Sequence, residues 1–231
     1  MKPYVMAHML TSLNGKIAGE FGNAPIFATL FQYYDEIYQS LNADAWLAGR
    51  VTMQSCTDGD VVLPSEYDDF SGDFIANHNA THFAISADPF GKVLWKDNVL
   101  PYGNRPKGHI ISLVSEQADK AYLAHLRKIG VSYLIVGEKE LDLTLALEKL
   151  AQYFNIQRLV LAGGGLINGA FAYQGLLDEI HLIVAPVLEL SPQNTAFENK
   201  NLNFNLDFAE FKLKENRILA DNKTLYLAYQ K

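Results

Sequence analysis

The chain holds a single cysteine, Cys56, in 231 residues. That excludes a disulfide framework and any cysteine-rich zinc site. Its histidines show no His-x-x-x-His or Glu-spaced pair, so no metal centre is expected. No apolar run reaches the ~18 residues that a membrane-spanning helix needs, and the first residues read as a strand rather than a signal peptide. Basic clusters are missing too: 19 Lys and Arg stand against 26 Asp and Glu, a net charge of −7. General binding to nucleic acid or to an anionic membrane is therefore not expected. There is no G-x-x-x-x-G-K-[ST] loop, no G-x-S-x-G nucleophile motif and no opening G-x-G-x-x-G unit. The remaining expectation is a cytoplasmic protein acting on a small molecule.

What is present suits a large buried core, since 49% of residues are hydrophobic and 19% charged. The densest signal is Arg158-Leu159-Val160-Leu161-Ala162-Gly163-Gly164-Gly165-Leu166-Ile167-Asn168-Gly169-Ala170-Phe171. An apolar strand breaks at three glycines and continues as a helix. Bare glycine backbone at a helix N-terminus admits a phosphate or diphosphate, because no Cβ blocks the approach and the first-turn N–H groups face the anion. The same triplet also suits a joint where one element packs closely on another, and the pattern leaves both readings open.

Residues 4–10 read as a buried strand, 27–41 as a helix with one broad apolar face, and 43–48 as a second strand. Residues 57–80, with Asp58, Asp60, Glu66, Asp68, Asp69 and Asp73, read as an acidic solvated insertion or a lid. Strands at 81–87, 108–114, 131–136, 157–162 and 179–188 then alternate with helices at 117–129, 142–154 and 166–174. Such alternation predicts an α/β fold in three layers, a mostly parallel central sheet flanked by helices. Residues 207–214 and 223–230 read as an antiparallel hairpin added to that sheet. No linker or repeat divides residues 1–231, so one domain is expected. His8 falls inside the first strand and reads as a satisfied core residue bordering the expected site. His181 alternates with apolar neighbours and reads as pointing outward or into a contact between copies.

A second anion site is legible at Gly49-Arg50-Val51-Thr52, after the strand Asp44-Ala45-Trp46-Leu47-Ala48. A guanidinium there can grip phosphate bidentately, and the Thr52 hydroxyl can cap the next turn or donate to phosphate. Two such turns at the carboxyl ends of different strands fit an extended ligand.

Together these pieces resemble the dihydrofolate-reductase-like superfamily, and within it the reductase domain found at the C-terminal end of bifunctional riboflavin-biosynthesis proteins. Ser12-Leu13-Asn14-Gly15-Lys16-Ile17-Ala18 resembles the family's S-[LI]-D-G-[KR]-I-A, and Gly49-Arg50-Val51-Thr52 its G-R-x-T. Leu161 to Ala170 is similar to V-E-G-G-[PG]-x-[LI]-N-x-A. Gly175-Leu176-Leu177-Asp178-Glu179-Ile180 and Ala185-Pro186-Val187-Leu188 are similar to G-L-[VIL]-D-E-[ILV] and A-P-x-[LI]. The resemblance implies an NADPH-dependent reductase, a homodimer, that reduces a ribosylaminopyrimidine phosphate or a related heterocycle. By motif position it implies Arg50 on the 2′-phosphate, with Gly49, Thr52 and Ser86 also at the cofactor. Gly163, Gly164, Gly165, Leu166 and Ile167 would line the diphosphate and nicotinamide side, through a non-proline cis bond at the glycine pair. Ile17 and Ala18 would border the nicotinamide. Lys16 would orient the substrate as the catalytic residue, with Asn14 and His8 beside it.

Two positions depart from that pattern: Asn14 replaces an aspartate, and Ala162 replaces the glutamate before the glycines. The departures keep a second reading in play, a non-catalytic dinucleotide- or flavin-binding sensor.

Overall fold

The computed structural model describes residues 2–57, 60–76, 79–199 and 210–231. Asp58 of the acidic run and residues 207–209 of the expected hairpin lie outside them. The chain divides into two compact units, Met1–Pro3 with Ala43–Leu159, and Tyr4–Asn42 with Val160–Lys231.

The first unit is built on strands β2 (Ala45–Gly49), β3 (Phe83–Ala87), β5 (Gly108–Val114) and β6 (Ser132–Ile135). They pair in parallel as β2 with β3, β3 with β5 and β5 with β6. The two-residue β4 (Val99–Leu100), not foreseen from the sequence, pairs antiparallel with β5. Strands β3 and β5 are buried at every position, which is why they read as nearly unbroken apolar runs rather than alternating ones. Helix α3 (Lys120–Ile129) starts where the Asp119 carboxylate accepts from Ala121 N and stops at Gly130, φ 73°. Helix α4 (Leu143–Phe154) starts where Asp142 accepts from Leu145 N and stops at Asn155, φ 53°. Side-chain caps and left-handed ends thus trim the expected helices to their observed lengths.

The end of the acidic insertion is not a free loop. Phe74 and Tyr133 exchange backbone hydrogen bonds of 2.9 Å. Asp73 accepts from Ile135 N at 2.8 Å and pairs with Lys149 at 2.8 Å. The Arg127 guanidinium lies 4.5 Å from the Phe70 ring and 4.7 Å from the Phe74 ring, with Nε on Tyr133 Oη at 2.8 Å. Residues 70–76 therefore cover β6 and protect its backbone from pairing elsewhere.

The second unit joins β1 (Tyr4–Thr11), β8 (Glu179–Val184), β10 (Leu225–Gln230) and β9 (Lys212–Ile218) in that order. β1 and β8 are parallel; β10 is antiparallel to both β8 and β9. Helix α1 (Phe27–Ser40) lays Tyr34 and Ile37 on Ile183, Leu219, Tyr226 and Ala228. β7 (Arg158–Leu161) carries the chain from the first unit into the second and leads to α5 (Gly165–Tyr173). The expected hairpin is present but its first strand is Lys212–Ile218, later than 207–214. All seven residues are exposed, so no apolar alternation marks it. β8 ends at Val184 rather than 188, just before Pro186, which cannot donate to a ladder.

His181 is turned inward, contrary to the outward reading. It is buried, its Nε2 donates to the Glu179 carboxylate at 2.8 Å, and its Nδ1 accepts from Tyr226 Oη at 2.7 Å. Glu179 also accepts from Tyr4 Oη at 3.0 Å and from Lys214 Nζ. Burial pushes the Glu179 carboxyl up, but these donors outweigh it and hold it below the usual range. Burial holds His181 below its ordinary value despite Glu179, and raises Tyr226 to about 12.

Candidate active site

In the first unit, Gly49 closes β2 with extended backbone and stands at the N-cap of α2 (Arg50–Gln54). Among the described residues no side chain caps this short helix. Thr52, expected as a cap, sits one turn inside it, where its carbonyl accepts from Ser55 Oγ at 2.7 Å and Cys56 Sγ at 3.3 Å. Arg50 is exposed, so its guanidinium can meet an anion without a burial cost. Ser86 is fully buried on β3, in register with Ala48 and Ser112, and its hydroxyl has no hydrogen-bond partner among the described residues.

Sequence reasoning did not single out Asp88, which directly follows β3. The residue is buried, and one carboxylate oxygen accepts from Lys92 N at 2.6 Å and Val93 N at 2.7 Å. Burial raises its carboxyl above the usual range, partly offset by those N–H groups and by the nearby Arg50 charge. The signal available was an acid directly after a buried strand, the position where a side chain can catch its own turn.

In the second unit, the loop after β1 is folded on Ser12, whose hydroxyl accepts from Lys16 N at 3.0 Å and donates to Asn14 Oδ1 at 2.8 Å. Asn14 is exposed at its surface, yet Nδ2 donates to Glu189 O at 2.8 Å and Oδ1 accepts from Glu189 N at 3.1 Å. Lys16 is half-buried, with Nζ on the Gln193 carbonyl. Ile17 is half-buried and Ala18 exposed. His8 is not brought to this loop. It lies fully buried beneath α1, with Nε2 2.9 Å from Tyr34 O and its ring stacked 4.1 Å from the Tyr34 ring.

The glycine turn needs no cis bond, and among the described residues no peptide bond is cis. Gly163 and Gly164 instead take φ of 131° and 90°, conformations that glycine reaches without a Cβ penalty. The triplet then divides. Among the described residues a Cβ at Gly163 would meet nothing within 4 Å, whereas one at Gly165 would stand 2.3 Å from Thr195 O. Gly169 is tighter still, its Cβ position falling on Glu198 O. Gly163 therefore leaves room for a ligand, while Gly165 and Gly169 let residues 195–198 pack on α5. Leu166 is exposed and Ile167 half-buried on the first turn of α5, which has no side-chain cap among the described residues. The second residue missed from sequence is Glu189, buried between exposed Leu188 and Leu190. Only this alternation after β8 marked it.

The RibD C-terminal domain model matches residues 101–220, a span that includes the glycine turn and Asp178-Glu179. The chain belongs to that family. A 2,5-diamino-6-ribosylamino-4(3H)-pyrimidinone 5′-phosphate reductase of Methanothermobacter thermautotrophicus is 26% identical over 198 residues, 81% of this chain and 80% of its own. A pyrimidine reductase-like protein of Corynebacterium diphtheriae superposes with a TM-score of 0.68 at 17% identity, covering 99% of this chain and 91% of its own. The RibD of Acinetobacter baumannii superposes with a TM-score of 0.67 at 20% identity over 99% of this chain. This chain spans 58% of that longer protein. The structural likenesses give the family its dihydrofolate-reductase-like fold here as well. Among the described residues no helix is long and apolar enough to cross a membrane, and no group of three or more His, Cys, Asp or Glu could hold a metal ion.

Proposed function

We propose that this member of the family is an NADPH-dependent reductase that transfers hydride to a ribosylaminopyrimidine phosphate. The observation that carries the reading is the alignment with the Methanothermobacter reductase, which runs through four-fifths of both chains. The local geometry supports it in each unit. Arg50 presents an exposed guanidinium at an uncapped turn, suited to a 2′-phosphate. Gly163 leaves open space beside an uncapped helix N-terminus, suited to a diphosphate.

NADPH would supply the hydride, and the protein would bind, orient and exclude water. In the first unit Arg50 and Gly49 would meet the cofactor, with Ser86 buried on the neighbouring strand β3; in the second unit Gly163, Gly164 and the first turn of α5 would meet it. Ile17 and Ala18 would form an apolar wall. Lys16 would aim its ammonium at a carbonyl or phosphate of the substrate, fixing the acceptor carbon for attack. The deciding assay follows reduced-nicotinamide absorbance with 2,5-diamino-6-ribosylamino-4(3H)-pyrimidinone 5′-phosphate. Substrate-dependent oxidation of NADPH is expected. Its absence, under conditions where the Methanothermobacter enzyme turns over, would refute the proposal.

A further inference from the structure

The segment from Val187 to Glu198 is stitched to two different parts of the second unit. Toward the Ser12–Phe21 loop, Leu13 N donates to Val187 O at 2.8 Å, Ile17 N to Asn194 O at 3.1 Å, and Ala196 N to Gly15 O at 3.1 Å. Lys16 pairs with Thr195 as an isolated bridge and sets its ammonium on Gln193 O. Toward α5, Glu198 N donates to Gly165 O at 2.9 Å and Asn168 Nδ2 to Ala196 O at 2.8 Å. The same residues fill the space that a Cβ at Gly165 or Gly169 would take.

We infer that this strap fixes Lys16 relative to the glycine turn, with Asn14 and Glu189 as the positioning residues that lock it. The catalytic arm of this inference rests on the reductase reading. The Asn14 amide brackets the Glu189 peptide from both sides, donating to its carbonyl and accepting from its N–H. Ser12 fixes which way the amide faces. Its hydroxyl accepts from Lys16 N, which leaves its own proton for Asn14 Oδ1. An aspartate at position 14 supplies acceptors only and would set a carboxylate against the Glu189 carbonyl. The structure thus gives a reason for asparagine where the family pattern has an acid.

Glu189 completes the lock from inside. One carboxylate oxygen accepts from Ser191 N at 2.9 Å and Ser191 Oγ at 2.6 Å, the other from Phe21 N at 3.1 Å. A buried carboxylate is costly unless its lone pairs are satisfied, and here donors from both sides of the loop satisfy it. The Ser191 hydroxyl and N–H, with Phe21 N, hold its carboxyl down at about 2, so it is a fixed strut at neutral pH. It also lies where Gly19, φ 130°, would carry a Cβ, so the strut seats only against glycine.

The test is Asn14→Asp, with Glu189→Gln as its second arm, read by turnover, NADPH binding and amide hydrogen exchange. Asn14→Asp is expected to lower kcat about tenfold or more, which corresponds to ~1.4 kcal/mol or more in the barrier. NADPH affinity should stay within about twofold. Exchange should accelerate in residues 12–21 and 187–196 and remain unchanged in β5. Glu189→Gln should move the same readouts in the same direction. Wild-type or higher kcat in Asn14→Asp would overturn the inference, as would equal losses of turnover and cofactor affinity with exchange accelerated throughout the chain. If the wild-type protein turns over no pyrimidine substrate, the proposed function falls. The exchange arm then decides the lock by itself, and wild-type exchange in both variants would overturn it.

Discussion

Gly163→Ala and Gly165→Ala should destabilise the protein comparably yet differ in cofactor binding, and the comparison separates two uses of one glycine triplet. At Gly163 the penalty is conformational: φ of 131° is a region that alanine enters at a cost of about 1–3 kcal/mol. At Gly165 the penalty is steric, because the new Cβ would stand 2.3 Å from the Thr195 carbonyl and 3.1 Å from Glu198 Cγ. Overpacking against backbone costs about 1–3 kcal/mol. For a chain of this length each kcal/mol lowers Tm by roughly 2–4 °C, so both variants should melt about 2–12 °C early. Melting alone cannot tell them apart. Calorimetric titration with NADPH, well below both midpoints, can. Gly163→Ala places a methyl group in the space proposed for the cofactor, and should weaken binding by at least about tenfold, ~1.4 kcal/mol. Gly165→Ala points its methyl group into the strap and should bind within about twofold of wild type. Wild-type affinity in Gly163→Ala would show that the open space is not the cofactor's, and the diphosphate role of the turn would be wrong.

Arg50→Ala should weaken NADPH by ~1.5–3 kcal/mol, about 10- to 150-fold, while leaving NADH nearly unaffected; parallel titrations with equal losses would remove the 2′-phosphate role. Lys16→Met should lower turnover more than NADPH affinity, and unchanged turnover would take Lys16 out of the site. Acidification should lower Tm in steps whose sign follows from burial. His181 and His82 are both held below 6.5, chiefly by desolvation, so the folded state prefers them neutral. Their contribution is intact above pH 6.5 and drains as pH falls through the folded values. Glu179, held below 4.5, adds a further loss at lower pH. His181→Gln should flatten the first step in a Tm-against-pH series, and an unchanged slope there would show that His181 does not drive it.

The fold was legible where residues announce their burial. Strands β3 and β5 are apolar on both faces, and α3 and α4 carry Asp caps and left-handed stops within their own sequence. It was not legible where a strand's partner lies far along the chain and its own side chains face solvent. β9 is Lys-Leu-Lys-Glu-Asn-Arg-Ile, exposed at each position, and is a strand because β10 pairs with it. The acidic insertion misled for a related reason. Its Asp73 reads as a solvated charge, yet it is satisfied by Lys149 and the β6 backbone. Neither partner is near it in sequence.

The same distinction runs through the site. Arg50, Lys16 and the glycines stand in short motifs, so their types and positions could be read directly. Their division of labour could not. Gly163 and Gly165 are identical letters two residues apart, and only Thr195 and Glu198 tell which one is closed by packing. Asn14 likewise reads as the loss of an acid until Glu189 shows that the position requires a donor. Ala162, the other departure, is half-buried between β7 and the glycines, and nothing in the structure explains it. Of the two changes that separate this chain from the family pattern, then, Asn14 has a structural reason in its two hydrogen bonds to Glu189. Only Ala162 still favours a sensor over an enzyme. Restoring the acid as Ala162→Glu is therefore the informative change at that position, because Asn14→Asp would break a lock rather than repair a site.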